Sequence, residues 1–206
     1  MGNVVIFGAG GQAGSAAAAE ARRRGHAVTA VVRDPGQYAA LGETGVALVA
    51  GDVTDADSVA AVAAGHDAAI VAVYDGAAPA DEFFRRAGQS LDNGLTRAGV
   101  TRVVVVGLAS ILPTADGVPL MDTDGYPTAY RSFFLAHAGL LEVLGESALD
   151  WVAVSPAGDF GGERTGAYRV ASADATSRVS YADLGIALLD EIDSPAHHRT
   201  HVGVES

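Results

Sequence analysis

The sequence contains neither cysteine nor lysine. The first absence excludes disulfides, thiolate nucleophiles and cysteine-based zinc sites together. The second excludes every mechanism that needs a catalytic lysine, because all thirteen basic residues are arginine. No Gly-x-Ser-x-Gly elbow occurs, so an α/β-hydrolase triad has no support. No apolar run approaches the roughly 20 residues that a bilayer span requires. The opening segment MGNVVIFGAG lacks a basic leader and reads as a first strand rather than a signal peptide. The expectation from these absences is a soluble cytoplasmic protein with no membrane partner.

Positive charge is scarce as well. Thirteen arginines stand against 25 acidic residues, for a net charge of −12. Such a chain is repelled by phosphate backbones, which argues against a nucleic-acid partner. A dinucleotide is a different case, because backbone N–H groups and a helix dipole hold its pyrophosphate. The 206 residues, 49% hydrophobic and 18% charged, fit one α/β domain spanning residues 1–206.

Strand-like and helix-like segments alternate along the chain. Strands are expected at Asn3–Phe7, Ala27–Val32, Val46–Ala50, Asp67–Val73, Arg102–Val106, Leu149–Val154 and Thr200–Val204. Helices are expected at Gln12–Arg24, from about Asp57 to Ala64, and at Asp81–Ala98, Ala129–Gly145 and Tyr181–Ile192. The unbroken run Val103–Val106 is typical of a parallel strand buried on both faces. Residues 113–127 are rich in Gly, Pro and Asp and read as a loop that could act as a lid. This β-α rhythm implies a doubly wound parallel sheet of the Rossmann type, with a small C-terminal segment on the substrate side.

Between the first strand and first helix lies Gly8-Ala9-Gly10-Gly11-Gln12-Ala13-Gly14. Glycines also end strands for conformational reasons alone, but here they follow an apolar strand and open a helix. Gly8 suits a tight turn, Gly10 and Gly11 a backbone that approaches pyrophosphate, and Gly14 close helix–strand packing. The residue ending strand two separates NAD from NADP: an acid bonds the ribose 2′-OH, whereas Arg accommodates a 2′-phosphate. Arg33 stands there, followed by Asp34, which favours NADPH and leaves NADH possible. The competing reading is an Arg33 that merely pairs with Asp34. Asp52 and Val53 follow strand three, where an Asp can meet adenine; Asp52, Thr54 and Asp55 are equally candidates for a helix N-cap.

The segments FGAGGQAG, AVVRDP, GDVTDADSV and GHDAAIV resemble atypical short-chain dehydrogenase/reductases of the NmrA-like branch. That branch includes the biliverdin reductase B/flavin reductase group and bacterial NADH-flavin reductases. LLEVLGESALDWVAVSP, ERTGAYRV and SRVSYAD extend the resemblance over nearly the whole chain. It implies an NADPH-dependent reductase, with a flavin as substrate rather than as a bound prosthetic group. It also implies that Arg33 meets the 2′-phosphate and Asp52–Val53 the adenine. Ser110 would lie near the nicotinamide, and Ser155-Pro156-Ala157 would border its carboxamide. The chain departs from its relatives at Gly158, where one group carries a histidine, and at Gly107–Ser110, where others carry Gly-Gly-Ala-Gly-Ser.

Ordinary short-chain dehydrogenases pair Tyr with Lys four residues on, and that pair is absent here. Tyr126 and Tyr130 fall in the expected region but lack the lysine that would make either a strong acid. His137, on the fifth expected helix, is a second candidate proton donor, or else a structural helix histidine. His197, His198 and His201 lack an acid at ligand spacing, so no metal is expected, and they read as an exposed segment. Hydride transfer to a planar acceptor depends mainly on geometry, and a delocalised reduced flavin needs a proton donor less than a ketone does. The expected catalytic set is therefore Ser110, Tyr130 and His137, with a flavin-like small-molecule acceptor and a monomer or homodimer. Two alternatives stand beside it: a non-catalytic NADP(H) sensor and a sugar-nucleotide epimerase or dehydratase. About fifty residues follow strand six, little for the substrate lobe the latter carry.

Overall fold

The computed structural model describes residues 1–206. Seven strands run parallel: β1 (Asn3–Phe7), β2 (Ala27–Val32), β3 (Ala47–Ala50), β4 (Ala68–Val71), β5 (Arg102–Val106), β6 (Asp150–Pro156) and β10 (Thr200–Glu205). Their spatial order is β3-β2-β1-β4-β5-β6-β10, with the short strand β8 (Arg169–Ala171) antiparallel on the outer edge of β10. The order reverses at β1, between β2 and β4. In open α/β sheets a crevice opens at that reversal, beyond the carboxyl ends of the strands. The sequence reading of a Rossmann-type α/β domain holds.

Alternation along the strands divides the core into two layers. Val5, Phe7, Val103, Val105 and Trp151 face α3 (Ala56–Ala63), α4 (Ala80–Ala98) and α5 (Arg131–Glu146). Val4, Ile6, Val104, Val152 and Val154 face α1 (Gln12–Arg23) and α6 (Tyr181–Asp193). Ala16–Ala18 let α1 and α6 approach closely: a Cβ on Gly185 would stand 3.0 Å from the Ala16 carbonyl.

Three short strands were not expected from the sequence. Besides β8, β7 (Asp159–Phe160) and β9 (Arg178–Val179) form a small parallel pair of their own. Residues 35–42 also fold, as a 3₁₀ turn running into the one-turn helix α2 (Ala39–Gly42). The segment after β6 is thus structured. Asp183 in α6 anchors it: its wholly buried carboxylate accepts the Thr165 and Gly166 backbone N–H groups at 2.9 Å and the Ser180 hydroxyl at 2.8 Å. Burial alone would raise the Asp183 pKa, but these donors more than offset it and hold the carboxyl below its ordinary value.

Of the three C-terminal histidines, His198 lies in an exposed segment as expected, whereas His197 and His201 are half-buried. His197 Nδ1 pairs with Glu191 at 2.6 Å and His198 Nδ1 with Asp150 at 2.8 Å. His201 turns inward from β10 and meets Ser155 Oγ at 2.5 Å. The period-2 alternation of β10 accounts for this, since His201 shares a face with Gly203 and the register aligns Gly203 with Ser155 of β6. No helix is long and apolar enough to cross a membrane.

Candidate active site

The crevice at the strand-order reversal holds a cavity of about 600 Å³. Its floor is the glycine turn. Gly8 adopts φ +78°, and a Cβ there would stand 2.1 Å from the Ala72 carbonyl, so only glycine lets β1 and β4 end so close together. A Cβ on Gly14 would stand 2.2 Å from the Gly8 carbonyl, which sets α1 directly against the turn. Gly11 differs from both. It is the N-cap of α1 at φ −80°, no side chain caps that helix, and a Cβ would meet nothing nearer than 3.5 Å. The first-turn N–H groups of Gln12, Ala13 and Gly14 are therefore left without a side-chain acceptor at the positive end of the helix dipole. That cradle fits a pyrophosphate. Gly10 is constrained from above: the Tyr38 ring lies 2.3 Å from where its Cβ would stand, so Tyr38 roofs the turn.

Arg33, Asp34, Asp52 and Val53 all line the cavity. The Asp34 side chain accepts the Gly36 N–H at 3.0 Å and the Gln37 amide at 2.9 Å, which caps the turn after β2. Arg33 does not pair with it. Its Nη1 reaches instead to Asp75 Oδ2 at 2.6 Å, on the loop following β4. Asp52 binds the Thr54 N–H at 2.8 Å and hydroxyl at 2.7 Å, while Asp55 caps α3. The N-cap and the cavity-lining position thus fall to different residues. Sequence reading did not single out Asp75 or Tyr38, because each is defined by a partner some thirty or forty residues away.

From Asp75 the cavity runs toward aromatic side chains. The Tyr74 ring is 60% exposed, stacks at 17° on Phe84 and meets Phe133 edge-on at 5.1 Å. Beyond β5, Ser110 is buried and its hydroxyl lacks a partner. Pro156 is buried at the end of β6. Tyr130 does not join them: it precedes α5, is 67% exposed and makes no hydrogen bond with its side chain. Tyr126 packs edge-on against Phe134, and burial, with Asp159 nearby, raises its phenol pKa.

His137 lies inside the core of α5, its ring centroid 4.7 Å from that of Phe84, with Nδ1 unpartnered. Burial pushes its pKa down to about 4, against a smaller opposing effect of hydrogen bonding to the Val106 backbone. It is uncharged at neutral pH and carries no imidazolium proton to give. His201 is lowered to about 4 as well, first by burial and then by His137. Ser155 and His201 together close the space above Gly107, where a Cβ would stand 2.4 Å from the Ser155 hydroxyl and 2.9 Å from His201 Nε2.

A glycine cradle at the strand-order reversal, uncapped at its helix end, defines a dinucleotide-binding protein of the Rossmann type. The chain belongs to the NAD(P)H-binding family whose model matches residues 8–195. Three solved structures share its fold over nearly their whole length. A Burkholderia pseudomallei protein, provisionally named as exported, is 37% identical over all of both chains, with a TM-score of 0.86. A Bacteroides thetaiotaomicron protein, provisionally named an epimerase, is 33% identical over 98% of this chain and 96% of its own, at 0.82. A Streptococcus pneumoniae TIGR4 protein, provisionally named an NADH-flavin reductase, is 29% identical over all of both chains, at 0.81.

Proposed function

We propose that the protein is an NADPH-dependent reductase of flavins or similar planar small molecules, acting in the cytoplasm. The observation that carries this reading is the continuity of the cavity, from the uncapped N-terminus of α1 past Arg33 to the exposed Tyr74 ring. The bound dinucleotide would supply the hydride. Gly10, Gly11 and the first-turn N–H groups of Gln12, Ala13 and Gly14 hold its pyrophosphate. Arg33 takes the 2′-phosphate, and Asp52 and Val53 border the adenine. Tyr74, backed by Phe84 and Phe133, offers a flat surface on which an aromatic acceptor stacks. Ser110 and Pro156 are buried and do not line this cavity; the family resemblance assigns them to the nicotinamide end.

The missing proton donor narrows the acceptor. With no lysine, an exposed Tyr130 and an uncharged buried His137, a ketone alkoxide would form without a positioned acid. A flavin or quinone delocalises the incoming charge and takes its proton from water. The same shortage supports a second reading, a sensor that binds NADP(H) without turnover.

The test is nicotinamide oxidation by purified protein with FMN, a quinone and a linear tetrapyrrole, using NADPH and NADH in parallel. Acceptor-dependent oxidation is expected. Arg33→Ala should weaken NADPH binding about tenfold or more while leaving NADH within about twofold, since it removes one charged phosphate contact. Tight NADPH binding with no oxidation by any acceptor would establish the sensor instead.

A further inference from the structure

Arg33 and Asp75 come from opposite sides of the crevice. Arg33 follows β2 and Asp75 follows β4, with β1 between them. Two strand spacings separate the two elements, roughly 10 Å, and the ion pair joins these two cavity-lining residues across that gap. The two halves of the bridge are not equally held. Asp75 is fixed: its side chain is 18% exposed, and its second oxygen accepts the Ala77 N–H at 3.0 Å. The Arg33 side chain is 66% exposed and makes no other hydrogen bond. Asp34, its immediate neighbour, is already committed to Gly36 and Gln37. Asp75 is therefore the only anion that now holds the Arg33 guanidinium.

We propose that Asp75 is a specificity-determining residue, an internal anion that competes with the cofactor 2′-phosphate for Arg33. This rests on the reading that Arg33 receives that phosphate. NADPH must draw the mobile arginine away from its fixed partner, and part of the new contact only replaces the old one. NADH brings no anion to that position and leaves the bridge intact. Asp75 thus reduces the preference for NADPH that Arg33 alone would create. A negative charge beside the arriving phosphate acts in the same direction.

The variant Asp75→Asn tests this directly. Its amide oxygen can still accept the Ala77 N–H, so the loop keeps its turn while the charge is lost. Binding of NADPH and NADH is measured by nicotinamide fluorescence for the parent, Asp75→Asn, Arg33→Ala and the double variant. The pair is partly exposed, which limits the effect to about two- to fivefold. Asp75→Asn should tighten NADPH by that factor and leave NADH unchanged, with the gain shrinking as salt is added. In the Arg33→Ala background the same substitution should do much less. Selective loss of NADPH in Arg33→Ala together with unchanged or weakened NADPH binding in Asp75→Asn would overturn the competition and leave the reading of Arg33 standing. Weakening of both cofactors by Asp75→Asn would make the pair a clasp that holds any dinucleotide, also against the proposal. Equal effects of Arg33→Ala on both cofactors would overturn the reading of Arg33 and the competition together.

Discussion

Four glycines stand within seven residues, but each is required for a different reason, and that difference is testable. At Gly14 an added methyl would stand 2.2 Å from the Gly8 carbonyl and 2.8 Å from the Ala9 Cα, both backbone atoms that cannot step aside. At Gly11 it would meet nothing within 3.5 Å, at a φ that any residue adopts. Gly14→Ala should therefore cost about 1–3 kcal/mol of stability by overpacking α1 against β1, and lose cofactor binding with it. Gly11→Ala should melt close to the parent, because Gly-to-Ala at an N-cap costs about 1 kcal/mol or less. It should nevertheless bind NADPH at least tenfold more weakly, since its methyl projects into the cavity where the pyrophosphate is proposed to lie. Melting curves and titrations on the two variants separate the roles. Cofactor binding by Gly11→Ala at parental affinity would remove the pyrophosphate from this turn.

At the scale of elements, what was legible depended on length. The helices of eight residues or more and all seven parallel strands announce themselves by apolar runs and by punctuation, with Gly99 at φ +75° closing α4 as one instance. The glycine turn was legible because its meaning is local. The strands β7, β8 and β9, at two or three residues, carry no readable period, and the inward turn of His201 depends on pairing with β6. Asp183 shows the same limit: as a residue in the first turn of α6 it looks like an ordinary capping partner, yet it tethers a segment seventeen residues earlier. Asp183→Ala leaves the Thr165 and Gly166 N–H groups without an acceptor and should cost about 2–4 kcal/mol. The strand of chain it releases includes Arg164, so trypsin should cut there much faster in the variant than in the parent. Equal cleavage rates would show that Asp183 is not what holds the segment.

Across the whole molecule, a buried ion pair and the candidate site sit at opposite ends of the sheet. The carboxyl ends of the strands form the cavity, whereas Arg102 at the start of β5 is buried with Glu191, at 2.8 Å, and bonds the His197 carbonyl at 3.1 Å. Between these ends, His137 of α5 and His201 of β10 lie close enough to influence one another, and they give the fold a pH dependence of its own. Both are lowered to about 4, His137 by burial and His201 by burial and then by His137. An unfolded chain would protonate them near pH 6.5. Between about pH 6.5 and 4 the unfolded state therefore binds more protons than the native one, and stability falls as pH falls through that window. Each histidine contributes at most about 3.5 kcal/mol to this loss, at about 1.4 kcal/mol per pKa unit. Paired carboxylates act lower. Glu20, held at about 2 chiefly by its bond to Arg23 and also by Arg24, against the opposing effect of burial, begins to lose its contribution only below about pH 4.5. Denaturant unfolding measured from pH 7 to 4.5 thus reads the histidines with little interference from such carboxylates. The replacement His137→Phe keeps an aromatic ring beside Phe84 and removes one titrating group, along with its charge repulsion on His201. The parent should lose stability steadily over that range and the variant markedly less. Parallel curves for the two proteins would mean that the buried pair is not what makes the fold acid-sensitive.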